Sequence, residues 1–411
     1  MWPKKMQNKK RIVITGLGAI TSIGIGKDDF WKALIKGTSG ITRIESLDTS
    51  AFPTHNGGEI KNFDPLKFVS RRKALKLGRA SQFAVSAAKL ALADAGLKPS
   101  DLDQQKTGVC LGTTMGESQV LELLNDAWIR KGADAVDPLL VSRYPCNVLS
   151  SNLAIEFNLE GPNLTIPNAC AAANFATGYA SDLMNLGEAD TMLVGGADAF
   201  SRIAFIGFNR MFAVAPEKCQ PFDKNRKGMM VAEGAGIIVL ETLDKAFKRK
   251  AHIYAELLGY GVSCDAHHMT APQAEGISRS ITNALKNSNV SPGQVDYYNA
   301  HGTGTPANDR EEAIAIKKVF GPDYKSIAVS SIKSMLGHAM GAASALETIA
   351  CSMAIKNRII PPTINYETPD PEIDIDCVPN QARNKEVAIA LNSASAFGGN
   401  NACLVLGRFS A

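Results

Sequence analysis

Four short segments of this 411-residue chain carry residue types able to do covalent and acid–base chemistry. The first, GPNLTIPNACAAANFATGYASDL, sets Cys170 ahead of a run in which Phe175, Tyr179 and Leu183 recur at i, i+4 and i+8. That spacing predicts a helix with Cys170 at its N-terminus. Unpaired backbone N–H groups and the helix dipole at such a position favour a thiolate over a thiol, as a nucleophilic cysteine requires. The small neighbours Ala169, Ala171 and Ala172 leave room for a substrate. The same segment also fits an inert core cysteine, the usual fate of a lone buried thiol.

The second segment, VDYYNAHGTGTPANDREEAIAI, puts His301 at a strand end before a Gly/Thr turn and a helix. The third, SSIKSMLGHAMGAASALE, repeats that arrangement with Lys333 and His338 five residues apart. A single histidine is more often structural than catalytic. Two at strand-to-helix turns, with a cysteine at a third, point to one shared site. The fourth, LNSASAFGGNNACLVLGRF, follows a strand with Phe397, Gly398 and Gly399, where paired glycines would either bring backbone N–H groups to an oxyanion or make a tight hairpin.

The elements that must position these residues alternate along the chain. Strand-like runs RIVITG, TMLVGG, GAGIIVLE, IAVSS, VAIAL and ACLVLG are interleaved with helical patterns over 80–95, 309–319 (opened by Asn308 with Glu311 three residues on) and 342–356. This is the pattern of a layered α/β fold. A weak two-fold repetition places the division near 255, giving halves 1–255 and 256–411. The prolines of PPTINYETPDPEIDIDCVPN predict an extended surface excursion over 360–380.

Composition removes several classes of function. Hydrophobic residues make up 45% and charged residues 20%, which is ordinary for a globular protein, and the net charge of +4 is too small over this length to imply nucleic acid. Eight cysteines without a CxxC pair suggest neither a disulfide framework nor a zinc site, and fit a reducing cytoplasm. The basic start, with Lys4, Lys5, Lys9, Lys10 and Arg11 ahead of an apolar, glycine-punctuated stretch, reads as the approach to a buried first strand, not as a leader or membrane span. Gly16 and Gly18 begin a dinucleotide fingerprint, but Thr21 stands at its third glycine. The adjacent His267 and His268 lack metal-ligand spacing and suit a loop at a substrate entrance.

Together the four segments resemble the elongating β-ketoacyl-[acyl-carrier-protein] synthases, condensing enzymes of thiolase-like fold. The likeness runs from RIVITGLGAITSIG through CQPFDKNRKGMMVAEGAGIIVLE and DAHHMTAP to FGGNN, nearly the whole chain. The order Cys, His, Lys, His, then FGG separates this group from thiolases and initiating synthases, and an intact Cys170 separates it from chain-length factors. The resemblance implies a duplicated five-layered α/β/α/β/α fold, a homodimer, and an acyl carrier protein as partner. It implies no metal and no cofactor of the enzyme's own, since the phosphopantetheine belongs to the carrier.

By the same resemblance Cys170 carries the acyl group, and His301 and His338 surround a malonyl thioester during decarboxylation. Cys170 and Phe397, with Gly398 beside it, supply the oxyanion hole and gate. Lys333 orders the site through Glu312. Thr303 and Thr305 meet the pantetheine arm, His268 stands at the entrance, Met115 limits the acyl pocket, and Arg72 and Lys76 dock the carrier. The sequence departs from the usual pattern at Asn168-Ala169 before the cysteine, at Ala171 to Asn174 after it, and at Ser395, Ala396 and Asn400 around the last motif. These positions border the acyl pocket, so they bear on the substrate more than on the reaction. The expected activity is decarboxylative Claisen condensation in fatty acid elongation or a related lipid or polyketide pathway. The alternatives are a ketosynthase subunit that needs a chain-length-factor partner, as a heterodimer, and a non-catalytic scaffold.

Overall fold

The computed structural model describes residues 9–410; Lys4 and Lys5 of the basic start lie outside them. Ten strands build the frame. In the first half these are β1 (Ile12–Thr21), β2 (Thr107–Gly112), β3 (Asn163–Ile166), β4 (Thr191–Asp198) and β5 (Gly234–Thr242). In the second they are β6 (Ala255–Cys264), β7 (Tyr297–Asn299), β8 (Ala328–Ser330), β9 (Ile389–Ala396) and β10 (Asn400–Gly407).

The two sets have the same topology. The first runs β3-β2-β4-β5-β1, with β2 parallel to β3 and β4, and β5 antiparallel to β4 and β1. The second runs β8-β7-β9-β10-β6, with β7 parallel to β8 and β9, and β10 antiparallel to β9 and β6. Identical strand order and sense in both halves establish the expected duplication. The sheets meet edge to edge where Val13 and Ile14 pair with Glu256 and Ala255.

Helices complete five layers. α1 (Arg79–Asp94) and α2 (Val148–Phe157) cover the outer face of the first sheet, and α4 (Ala274–Ser288) and α5 (Pro306–Phe320) the outer face of the second. Between the sheets lie α3 (Ala172–Asn185) and α6 (Ala343–Asn357), each touching strands of both. α3 exposes Tyr179 and Asp182, whereas α6 has no solvent face, being buried from Ala343 to Ile355. This explains its small side chains: Ala, Ser and Thr let two sheets approach one helix, and Ser344, Thr348 and Ser352 satisfy their hydroxyls within the helix or at the Cys170 carbonyl.

Several boundaries differ from the sequence pattern. α5 opens at Thr305 and Pro306, not at Asn308, because proline's fixed φ and missing N–H suit the first helical position. The NSASA stretch belongs to β9, buried and in register with β10. The 360–380 stretch is irregular as expected, but it is not a plain surface excursion: Ile373, Cys377 and Val378 are buried, and the Asp223 carboxylate holds the Glu367 and Thr368 N–H groups at 2.6 Å. Gly16 and Gly18 lie within β1, where they let α1 rest on the sheet; a Cβ on Gly18 would sit 1.9 Å from the Ala87 carbonyl oxygen. Among the described residues no helix is long and apolar enough to cross a membrane.

These packing distances give a contrast to measure. Gly18→Ala must push α1 off the sheet and is expected to cost about 1–3 kcal/mol or more. Gly207→Ala, in helix Arg202–Arg210 with nothing within 4 Å of the added carbon, is expected to be neutral or to stabilise by up to about 1 kcal/mol. Urea unfolding of both variants checks this, and equal effects would contradict it.

Candidate active site

The strand ends of both halves open toward one cavity of about 500 Å³. Cys170 reaches it from a single 3-10 turn, Ala169–Ala171, that leads into α3. Ala169 has φ +47°, a left-handed conformation that a side-chain-bearing residue enters only under constraint. It turns the chain sharply between β3 and α3 and puts the thiol at the cavity wall. His301 follows β7 and His338 lies in the connection from β8 to α6. One ligating atom from each of Cys170, His301 and His338 falls within 4.8 Å of the others. The two imidazole rings are 5.5 Å apart, edge to face.

The electrostatics differ from the sequence expectation. The helix terminus was expected to make Cys170 a thiolate. Burial instead pushes its pKa up to about 12, with Lys333 as the main opposing influence. The resting nucleophile is therefore a neutral thiol that must hand its proton to a base. Both histidines are held well below the ordinary imidazole pKa, first by burial and then by the Lys333 charge, so at neutral pH they are uncharged. His338 Nδ1 accepts the Met340 N–H at 3.2 Å, which places its proton on Nε2. That Nε2 is buried and has no protein partner, so it is a donor available to a ligand.

Lys333, in the short helix Lys333–Leu336, is fully buried and forms an ion pair with Glu347 of α6. The expected Lys333–Glu312 link is corrected accordingly. Glu312 turns to the backbone: Oε1 accepts the His301 N–H and Oε2 the Gly302 N–H, both at 2.8 Å, while the Tyr298 hydroxyl donates to Oε1 at 3.2 Å. These bonds fix the His301 turn. Burial pushes the Glu312 carboxyl up to about 7.

The other expected residues divide. Thr303 and Thr305 line the cavity with their hydroxyls 2.9 Å apart. His268 lines its mouth, exposed, with Nδ1 accepting the Thr270 N–H at 3.1 Å. Phe397, Gly398 and Gly399 form the hairpin turn between β9 and β10. Phe397 is 37% exposed and packs on Phe208, while Gly398 donates to the Met269 carbonyl at 2.8 Å. The structure shows the hairpin turn, in which the Gly398 N–H is already taken up by Met269.

Met115 does not line this cavity. It packs into an apolar cluster with Phe200, Phe205, Met229 and Met340, of which Met229 reaches the cavity wall. Arg72 and Lys76 are exposed and distant from these groups in sequence; their neighbour Lys73, not they, pairs with Glu156. The sequence reading overlooked Phe208, Met211, Phe212 and Met229, which make the mouth apolar. The large apolar residues of FIGFNRMF were the available signal.

Comparison with known proteins agrees with this site. The family models for "Beta-ketoacyl synthase, N-terminal domain" and "Beta-ketoacyl synthase, C-terminal domain" match residues 9–246 and 254–367. The chain is 40% identical over 409 residues to 3-oxoacyl-[acyl-carrier-protein] synthase 2 of Coxiella burnetii, covering 97% of this chain and 99% of that protein. It is 41% identical over 410 residues to the protein of that name from Synechocystis sp., covering 98% and 99%. Among solved structures, the ishigamide ketosynthase/chain length factor superposes with a TM-score of 0.95 at 44% identity, covering 98% of this chain and 100% of that chain. A type II PKS acyl-carrier protein in complex with its ketosynthase, bound to the hexaketide, gives 0.90 at 33%, covering 98% and 100%.

The depressed histidine pKa values have a thermodynamic consequence. Each ring is neutral when folded and titrates near pH 6.5 when unfolded, so stability present above that pH is lost as the pH falls toward the folded pKa. The slope reaches about 1.4 kcal/mol per pH unit for each histidine. The double variant His301→Asn, His338→Asn is expected to lose stability less steeply than the parent between pH 6.5 and 5.5, with Glu312 and other carboxylates common to both. Parallel melting-temperature curves would refute the assignment of neutral histidines.

Proposed function

The chain belongs to the β-ketoacyl synthase family, and we propose that it is a 3-oxoacyl-[acyl-carrier-protein] synthase that elongates acyl chains by decarboxylative Claisen condensation with malonyl-carrier protein. The observation that carries this is the convergence of Cys170, His301 and His338 within 4.8 Å at one cavity, with the charge of the buried Lys333 acting on all three.

In this reading Cys170 attacks the acyl thioester as its proton passes to a neutral histidine, which returns it to the departing carrier sulfur, so the carrier leaves as a thiol and the histidine is neutral again. The tetrahedral oxyanion is met by the backbone N–H groups of Cys170 and Phe397, beside Gly398. The malonyl thioester then enters along Thr303 and Thr305 and past His268. Its carbonyl oxygen accepts hydrogen bonds from the His338 Nε2–H and from the His301 N–H, neither proton being transferred, so that the pair left by departing carbon dioxide is held as an enolate. The enolate carbon attacks the acyl-cysteine carbonyl, forming the new carbon–carbon bond and releasing the Cys170 sulfur. Lys333 acts on the charge balance of all three groups through its pair with Glu347, and Glu312 positions the His301 turn. Met115 lies behind Met229 and tunes the acyl end of the pocket indirectly.

The partner is an acyl carrier protein, docked in part by the exposed Arg72 and Lys76. The enzyme uses no metal and no cofactor of its own, since the thioester arm comes with the carrier. Halves 1–255 and 256–411 are the duplicated units. A second copy of the chain covers the open edge of β3, whose Leu164 is 39% exposed, and the exposed Ile155 of α2, the helix packed on that strand, supports that occupant. Eight cysteines without a disulfide among the described residues support a reducing cytoplasm, and neither nucleic acid nor a membrane enters the reading. One observation favours a second reading, a ketosynthase subunit paired with a chain-length factor: the 44% identity to the ishigamide protein.

Intact-protein mass spectrometry separates these readings. The purified chain is expected to gain one acyl mass on Cys170 from acyl-carrier proteins of graded length, and then, with malonyl-carrier protein, to release a product two carbons longer. Loading without condensation would favour the paired subunit. Failure to load would overturn the enzymatic reading in favour of a scaffold. Because Cys264 is an exposed cysteine, the Cys264→Ser variant is the control for labelling at the wrong thiol.

A further inference from the structure

The carboxylate of Asp198, the last residue of β4, is buried and holds four donors from two separate turns. Oδ1 accepts the Thr113 hydroxyl at 2.7 Å and the Met115 N–H at 3.1 Å. Oδ2 accepts the N–H groups of Thr114 at 2.8 Å and Gly341 at 2.7 Å. The first turn follows β2 and carries Met115. The second precedes α6, and its Met340 N–H is the one that fixes His338 through Nδ1. The two turns touch backbone to backbone: a Cβ on Gly341 would lie 2.5 Å from the carbonyl carbon and Cα of Thr113. No slack exists for one to move without the other.

We propose, on the basis of the condensing reaction above, that Asp198 is a positioning residue that locks the Met115 turn to the His338 turn, so that the acyl chain held on Cys170 and the histidine serving the malonyl group are coupled through one carboxylate. Met115 and Met340 belong to the same apolar cluster as Met229, which lines the cavity. An acyl chain pressing on Met229 therefore presses on residues whose N–H groups end on Asp198 or on His338. Only an ionised carboxylate meets the demand of four donors on two oxygens; an amide in either orientation would turn its NH₂ toward at least one backbone N–H. Burial pushes Asp198 up to about 6 against those four hydrogen bonds, which leaves it ionised at neutral pH. Asp198 is the one acid of GGADAF, and nothing in that pattern marks it for this role.

The test uses two half-reactions that do not require complete condensation: loading of Cys170 from short and long acyl-carrier proteins, and release of carbon dioxide from malonyl-carrier protein. Asp198→Asn is expected to keep short-chain loading within about threefold of the parent, to slow decarboxylation at least about tenfold, and to shift the long-to-short loading ratio at least about fivefold. Thr113→Val, which removes one donor at nearly constant shape, is expected to move decarboxylation and the ratio the same way by smaller factors, and it decides the matter if Asp198→Asn does not fold. Glu241→Gln, a buried carboxylate paired with Arg249 on β5, reports what a general loss of stability does. If Asp198→Asn and Thr113→Val slow both half-reactions in equal proportion with the chain ratio fixed, as that control would, the coupling is wrong. Failure of the parent to condense would count against the function proposed above, and is read apart from these ratios.

Discussion

The buried pair of Lys333 and Glu347 is the interaction on which the rest of the site depends. Both side chains are withdrawn from water, and desolvating two charges is repaid only when their geometry is good and neither is left alone. Removing one partner from such a pair typically costs about 3–5 kcal/mol, because the other stays charged in a medium that cannot solvate it. Glu347 is part of α6, the helix between the sheets, so the cation is anchored to the most buried element of the fold. From there its field reaches Cys170, His301, His338 and Glu312 together. It opposes protonation of both imidazoles and favours ionisation of the thiol and the carboxyl. One charge thus biases four groups toward their deprotonated forms, while burial remains the larger influence on each.

The duplicated topology explains why these groups can meet at all. Cys170 follows the third strand of its half, and Lys333 with His338 follows the third strand of the other. His301 follows a second strand, as does the Thr113–Met115 turn. Phe397 follows a fourth strand, as Asp198 ends one. In the proposed reaction, equivalent strand ends of two copies of one unit take complementary tasks, nucleophile and acyl side in the first half, malonyl side in the second. Neither half contains a complete site. The small-residue helices α3 and α6 permit this by bringing the two sheets close enough for their strand ends to share a cavity.

Much of this was readable in advance, for a physical reason. Strand-to-helix turns bearing Cys, His, Lys and His are local patterns, and local patterns survive in a linear sequence. What failed to show were choices made by three-dimensional packing. Lys333 could be assigned to Glu312 or Glu347, since both carboxylates sit on helices that follow the relevant turns; only the packing of α6 between the sheets selects Glu347. The thiolate expected at Cys170 was overridden because the helix terminus is buried, and desolvation exceeds the favourable field there. Met115 was placed at the pocket wall, but Met229, contributed by a segment more than a hundred residues away, stands in front of it. Asp198 carries no periodicity or motif, and its four partners come from two turns remote from it in sequence.

Once Cys170 is acylated, the second half of the proposed reaction depends on the histidines staying neutral. An imidazolium there would be a charged acid next to the enolate, ready to protonate the carbon that must attack the acyl group. Neutral imidazoles donate hydrogen bonds to the enolate oxygen while remaining poor acids, and their depressed pKa values hold them there. The apolar mouth of Phe208, Met229 and Phe397 keeps water, the competing proton source, from the same carbon. Burial that slows ionisation of Cys170 is therefore the same burial that protects the carbon–carbon bond-forming step, and the Lys333 charge recovers part of the loss at the thiol without returning a proton to either histidine.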